Sequence, residues 1–243
     1  MAPDLTTLLN ARAEPVQLWW RDDDAGRDHP RLGRLLALAA NHGAPLALAV
    51  VPEWLEPAAA ERIGRAEAVA ILQHGVAHRD HARPGERRIE LGGQASPAEL
   101  ADTILDGKRR LEAAFGTRFL GVMVPPWNRI GVDFVASLPA WGFEGFSGWV
   151  DSGPAAPAGI ARVDTHVDAM EWRPHRRCLG NPELVERLAS AVERHADRPI
   201  GLLTHHLVVD DAGFEALDRL IGLVQDHPKL CLRGASELFR KAA

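Results

Sequence analysis

The run WWRDDDAG at 19–26 sets three carboxylates, Asp22, Asp23 and Asp24, side by side at the end of an apolar stretch. Crowded like charges in a poorly solvated place repel, and the arrangement holds only with a cation nearby or a proton on one member. As a plain structural feature the same run reads as a helix cap with solvated neighbours, since Asp is a favoured N-cap residue. A second polar run, QHGVAHRDH at 73–81, carries His74 and His78 four apart. One helical turn at that spacing brings both imidazoles to the same side, two nitrogen donors for one divalent ion. A histidine-rich loop by itself is ordinary polar surface. Joined to Asp24 at another strand end, the pair leads us to expect a metal held by Asp24, His74 and His78. Zinc is the first expectation, and cobalt, nickel, manganese and iron accept the same donors. His81, three beyond His78 in a loop with Asp80 and Arg83, is expected at the surface or in a supporting role.

Such residues need a scaffold that brings distant segments together. Short apolar runs recur, most of them followed by a helical pattern, which is the signature of repeated βα units and a mainly parallel sheet. Strands are expected over 16–22, 45–51, 68–73, 118–124, 143–149, 160–168, 199–204 and 230–233. Helices are expected over 30–42, 57–64, 97–115, 132–141, 182–196, 213–225 and 235–241, several with proline in the first turn. The loop at 150–159 carries no convincing helix and breaks the repeat. Polar residues gather where strands end: Arg21 to Asp24, Gln73-His74, Pro126-Trp127-Asn128 and Thr204-His205-His206. In an α/β barrel those ends converge on one face, so the reading favours a barrel over an open sheet.

The chain has 243 residues, 46% hydrophobic and 25% charged, which suits one α/β domain over 1–243 with a sizeable core. A formal charge of -5 gives no electrostatic reason to expect nucleic acid as a partner. The arginine-rich stretches at 83–88 and 173–177 read as solvated loops. Neither a signal-peptide pattern nor a long apolar span occurs, so no membrane partner and a cytoplasmic location are expected. Cys178 and Cys231 stand far apart without a CxxC pattern, so neither a disulfide framework nor a thiolate metal site is indicated. Oligomeric state is not legible.

Taken in order, these motifs resemble those of the NodB-type polysaccharide deacetylases. Asp23-Asp24-Ala25-Gly26 is similar to that family's first motif, His74-x-x-x-His78 to its second, Pro125-Pro126-Trp127-Asn128 to its third, and Gly201 to His205 to its last. The resemblance runs from Trp19 to about His206 and implies an α/β fold of the distorted (β/α)7-type barrel kind. It implies Asp23 as general base, Asp24, His74 and His78 as metal ligands and His205 as general acid. The Trp127 N–H would help to hold a tetrahedral oxyanion, and Pro126, Asn128 and Trp172 would line the substrate site. Two registers stay open: Asp22-Asp23 against Asp23-Asp24, and His206 against His205. The chain departs from the family at Val124, where an Arg that partners the catalytic Asp is expected. Arg21 is the nearest replacement, with Asp164 or Asp168 as its acidic partner.

The function that follows is metal-dependent removal of an acyl group, acetyl first, from a carbohydrate-like or small amide substrate by activated water. Two alternatives remain at this level. One is a hydrolase of C–N bonds in nitrogen metabolism, and the other is a catalytically silent, metal-dependent sugar-binding protein, motivated by Val124.

Overall fold

The computed structural model describes residues 4–239. In chain order the elements are α1 (Leu5–Asn10), β1 (Val16–Ala25), α2 (Pro30–Asn41), β2 (Leu46–Val50), α3 (Pro57–Gly64), β3 (Val69–His74), α4 (Pro97–Phe115), β4 (Phe119–Val124) and α5 (Val132–Ser137). There follow β5 (Gly145–Phe146), β6 (Ala161–Arg162), β7 (Thr165–Asp168), β8 (Met170–Glu171), β9 (Arg177–Cys178), α6 (Asn181–His195), β10 (Ile200–Thr204), α7 (Asp211–Asp226), β11 (Leu230–Leu232) and α8 (Ala235–Phe239).

Parallel pairing orders the main sheet β6-β5-β4-β3-β2-β1-β10-β7, with β11 also on β1. The sheet curls into an incomplete barrel. Its two ends are linked by the segment expected as one strand over 160–168, which instead divides: Ala161–Arg162 pairs with β5 and Thr165–Asp168 with β10. A bridge between Trp149 and Thr165 ties the same segment to the preceding loop.

Strand period two sorts β1 into two environments. Leu18 and Trp20 join the large core packed between the sheet and α2, α6 and α7, with Leu35, Leu188 and Leu217 among its members. Trp19 faces the other way, into the barrel with Ala49, Leu72 and Val124. Its ring meets Phe239 of α8 edge-on at 5.7 Å between centroids, so α8 closes the barrel beneath the site. Each indole is fully buried, worth on the order of 4 kcal/mol by apolar area.

Differences from the sequence expectation have local causes. α1 is additional, capped by Asp4, whose carboxylate accepts from Thr7 N–H at 2.9 Å. α5 stops near Pro139, which has no N–H to extend a helix. α7 starts at its Asp210 cap, which accepts from Gly213 N–H at 2.8 Å. The last two residues of the helix expected over 235–241 lie outside the described residues. Among the described residues no helix is long and apolar enough to cross a membrane.

Candidate active site

The register of the three aspartates is set by a kink. By alternation Asp22 falls on the Trp20 side of β1 and Asp23 on the barrel side, and Asp24 would then fall with Asp22. Instead Asp24 adopts a left-handed φ of 67°, and the pairing of β1 with β2 slips between Asp22 and Ala25. A left-handed conformation is strained for a residue with a side chain and is least so for Asn and Asp. Through this irregularity Asp24 meets His74 and His78 from beyond the strand end.

Asp24, His74 and His78 each offer a donor atom, all within 4.8 Å of one another. Nε2 of both histidines lies 3.2 Å from Asp24 Oδ1. His74 spends its other nitrogen, Nδ1, on the Val124 carbonyl at 3.0 Å. That bond requires the proton on Nδ1 and leaves the Nε2 lone pair turned toward the carboxylate. Asp24 Oδ1 is itself buried and accepts no well-formed hydrogen bond. Two imidazole nitrogens and an orphaned carboxylate oxygen converging on one point suit a divalent cation, and 3.2 Å is close to the edge of a tetrahedron with metal–ligand bonds of about 2.0–2.2 Å. Burial alone pushes the Asp24 carboxyl up, and the imidazoles of His74 and then His78 more than reverse this, holding it well below the usual carboxylate range.

The loop carrying His78 is organised by a residue that no motif announced. Glu90 is fully buried and its carboxylate accepts from the N–H groups of Val76 (3.0 Å), Ala77 (2.8 Å) and Arg79 (3.0 Å). These bonds hold the turn in which His78 takes φ 58° and Gly75 φ 55°. A Cβ on Gly75 would lie 1.9 Å from Glu90 Oε2, so glycine is required there. His81 stands outside the triad, its Nδ1 2.7 Å from the Glu90 carbonyl.

Asp23 is gripped from its own strand. Arg21 reaches it with Nε to Oδ1 at 2.8 Å and Nη2 to Oδ2 at 2.9 Å, both side chains buried. The guanidinium is oriented by Ser147 Oγ at 2.6 Å and by Asn128 Oδ1, also at 2.6 Å. The arginine paired with Asp23 is therefore Arg21, from the same strand, while Val124, where the resemblance expects an Arg, packs in the interior. Neither expected acidic partner touches it: Asp164 holds Gly148 N–H and Arg162, and Asp168 holds Met170 N–H and Trp172. Asn128, expected on substrate, has its oxygen engaged by Arg21. Ser147 lies just past β5 and was not foreseen, because an isolated serine carries no pattern.

Trp127 stands at φ 55° in the turn after β4, and its ring meets His78 at 4.4 Å, edge to face. The turn is closed by Asn128 N–H on the Pro125 carbonyl at 2.9 Å and Arg129 N–H on the Pro126 carbonyl at 3.2 Å. The Trp127 N–H takes part in neither bond. Pro126, expected at the substrate, is buried against Gly75.

At the end of β10 the two histidines part. His206 is fully buried, with its Nδ1 on Asp22, whose carboxylate also accepts from His206 N–H at 2.9 Å and Thr204 Oγ1 at 2.7 Å. Asp22 and His206 thus form a closed internal pair, and His205 is the partly exposed one. The Trp172 ring meets His205 edge-on at 4.9 Å, and its Nε1–H donates to Asp168 Oδ2 at 2.8 Å. Burial pushes the Asp168 carboxyl up, and the nearby His205 works against that shift. His205 Nδ1 is buried without a hydrogen-bond partner.

No protein-family model matches the chain, and no curated protein matches it. Solved structures do. A T48 deacetylase with its substrate aligns at a TM-score of 0.61 and 16% identity, over 98% of this chain and 94% of that one. A family 4 acetyl xylan esterase from Clostridium thermocellum, in complex with a cobalt ion, aligns at 0.61 and 17% identity, over 92% and 90%. BA3943, a CE4 family pseudoenzyme from Bacillus anthracis, aligns at 0.64 and 16% identity, over 94% and 67%. At such identities the likeness establishes the fold, the (β/α)7-type incomplete barrel of the CE4 deacetylases.

Proposed function

We propose that this protein is a metal-dependent hydrolase that removes acetyl groups from a carbohydrate-like or small amide substrate. The observation that carries the reading is the division of adjacent carboxylates: Asp24 converges with two imidazoles, and Asp23 beside it is held apart by Arg21. Asp24, His74 and His78 would hold a divalent cation, with zinc assigned first. When bound, such an ion acidifies a water and polarises the acyl carbonyl.

The remaining work falls to the chain's own groups. Asp23 takes the proton of the attacking water, and the paired guanidinium keeps its carboxylate fixed in one orientation. The Trp127 N–H faces the developing oxyanion. His205 gives a proton to the departing amine, held in place by the Trp172 ring and the Asp168 carboxylate beyond it. Trp127 and Trp172 supply flat apolar walls for a sugar ring.

A silent binding module is the second reading, because a fold neighbour is a pseudoenzyme. The intact Arg21–Asp23 pair favours turnover. The test is acetate release from a panel of N-acetylated and O-acetylated sugars, run on metal-stripped and metal-reconstituted protein, with His74→Ala and His78→Ala checked for metal by elemental analysis. The reading expects release that requires metal, and loss of metal in both variants. Metal and sugar binding without release from any substrate would leave the silent module in its place.

A further inference from the structure

The chain carries a formal charge of -5, yet two of its segments reverse that balance. Residues 79–88 hold four arginines against two carboxylates, and residues 171–177 hold three arginines against one. Both segments fold to the candidate site. Each of three tryptophans packs against an imidazole of that site: Trp54 on His78 at 5.4 Å, Trp127 on His78 at 4.4 Å, and Trp172 on His205 at 4.9 Å. Each of the three also carries an arginine over its ring, Arg27 at 4.4 Å, Arg88 at 6.0 Å and Arg176 at 5.9 Å.

Arginines from separate segments also lie close together: Arg129 Nη1 donates to the Arg88 carbonyl at 3.0 Å. Burial and then the charges of Arg87 and Arg173 pull the Arg129 guanidinium down from its usual value, with Asp80 opposing, so three loops bring cations within electrostatic reach of one another. Among the described residues Arg27, Arg87, Arg129, Arg173 and Arg176 make no salt bridge, and Arg88 has only a long contact to Asp80 at 3.9 Å. Cations gathered with few counter-ions around the candidate site repel one another, a cost that an anionic ligand would relieve. A guanidinium lying on an indole keeps its N–H edge free, in the planar fork that matches phosphate or carboxylate.

We infer that the substrate is anionic: an acetylated sugar bearing a phosphate or carboxylate group, which the arginines carried by Trp54, Trp127 and Trp172 receive at the mouth while the acetyl group enters between His78 and His205. This rests on the deacetylase reading and adds to it the charge of the substrate. The loops read from sequence as plain solvated surface are, on this account, the specificity elements.

The experiment compares N-acetylglucosamine, N-acetylglucosamine 6-phosphate and an N-acetylated hexosaminuronate on metal-reconstituted protein, by calorimetric affinity and by acetate release. The two anionic probes separate phosphate from carboxylate recognition. At least one should bind about tenfold or more tighter than the neutral sugar, the order of one charge-assisted hydrogen bond. The advantage should vanish as ionic strength rises from about 0.01 M to about 1 M, where the screening length falls from about 30 Å to about 3 Å. Arg27→Gln, Arg88→Gln and Arg176→Gln should each erode it while leaving the neutral sugar unchanged. Equal affinity for neutral and anionic probes, or an anionic preference indifferent to all three substitutions, overturns the inference even if acetate is released. Salt-sensitive, arginine-dependent binding without acetate release upholds the anionic site and removes the deacetylase reading.

Discussion

Arg21 holds Asp23 from two residues upstream on the same strand, a spacing that puts both side chains on the barrel face of β1 and lets the guanidinium meet both carboxylate oxygens. The cation paired with Asp23, the base of the proposed mechanism, therefore needs no second strand to deliver it, and Val124 serves as interior packing. Lysine cannot reproduce the two-point grip. Arg21→Lys should lower kcat by about tenfold or more with metal content unchanged, by the loss of one charge-assisted bond that orients the base. Arg21→Met should also cost stability, on the order of 3 kcal/mol, since it leaves Asp23 buried without a cation. Kinetics and thermal melts on metal-loaded protein check both, and unchanged kcat in both variants would remove Arg21 from the catalytic arrangement.

Asp22 is engaged by the fold, which leaves Asp23 as the carboxylate that the proposed mechanism uses. Asp22 accepts from Thr204 Oγ1 and from both the backbone and the ring of His206, and so fixes the turn from which His205 projects. Asp22→Ala should lose on the order of 3 kcal/mol by denaturant unfolding, because three donors are left without an acceptor in a sealed environment. The folded fraction should still bind metal. Loss of turnover in Asp22→Asn with stability intact would instead place Asp22 in the working pair.

Much of this arrangement is legible in the sequence because its signals are local. Apolar runs, prolines in first turns and polar residues at strand ends define the βα repeat; His74 and His78 do converge, but through a turn with left-handed Gly75 and His78 and not through the helical turn that their spacing suggests. The register of the aspartates was not legible, since it depends on a left-handed residue at Asp24, and Asp tolerates that conformation without advertising it. Glu90 and Ser147 escaped notice for a different reason. Glu90 acts through three bonds to the 76–79 turn and Ser147 through its contacts to Arg21, all outside its own element, and one polar residue in a loop or at a strand end has no periodicity to read. The choice between His205 and His206 likewise rested on which face the strand end presents, which only the Asp22 contact decides.

Packed against His195 of α6, His166 builds a pH response into the fold. Its Nδ1 accepts from Gly201 N–H at 3.1 Å, which requires a neutral ring. Burial, followed by the charges of His195 and Arg198, pulls its pKa down to about 4 from 6.5. Between those values the unfolded chain binds the proton and the folded one does not, so stability falls as pH drops from about 6.5 toward about 4. In His166→Gln the amide oxygen can take the Gly201 N–H without titrating. Thermal melts across that window should show a shallower decline in the variant, and superimposable pH profiles would contradict the assignment.

The division of labour between neighbouring carboxylates is tested most directly by measuring metal content and acetate release on the same samples of Asp23→Asn and Asp24→Asn. Asp23→Asn should retain its full complement of metal and lose about a hundredfold or more in kcat, the scale of a positioned general base. Asp24→Asn should lose the metal itself, and regain activity only at high metal concentration if at all. Metal lost from Asp23→Asn and retained in Asp24→Asn, or acetate release undiminished in either, would contradict the account.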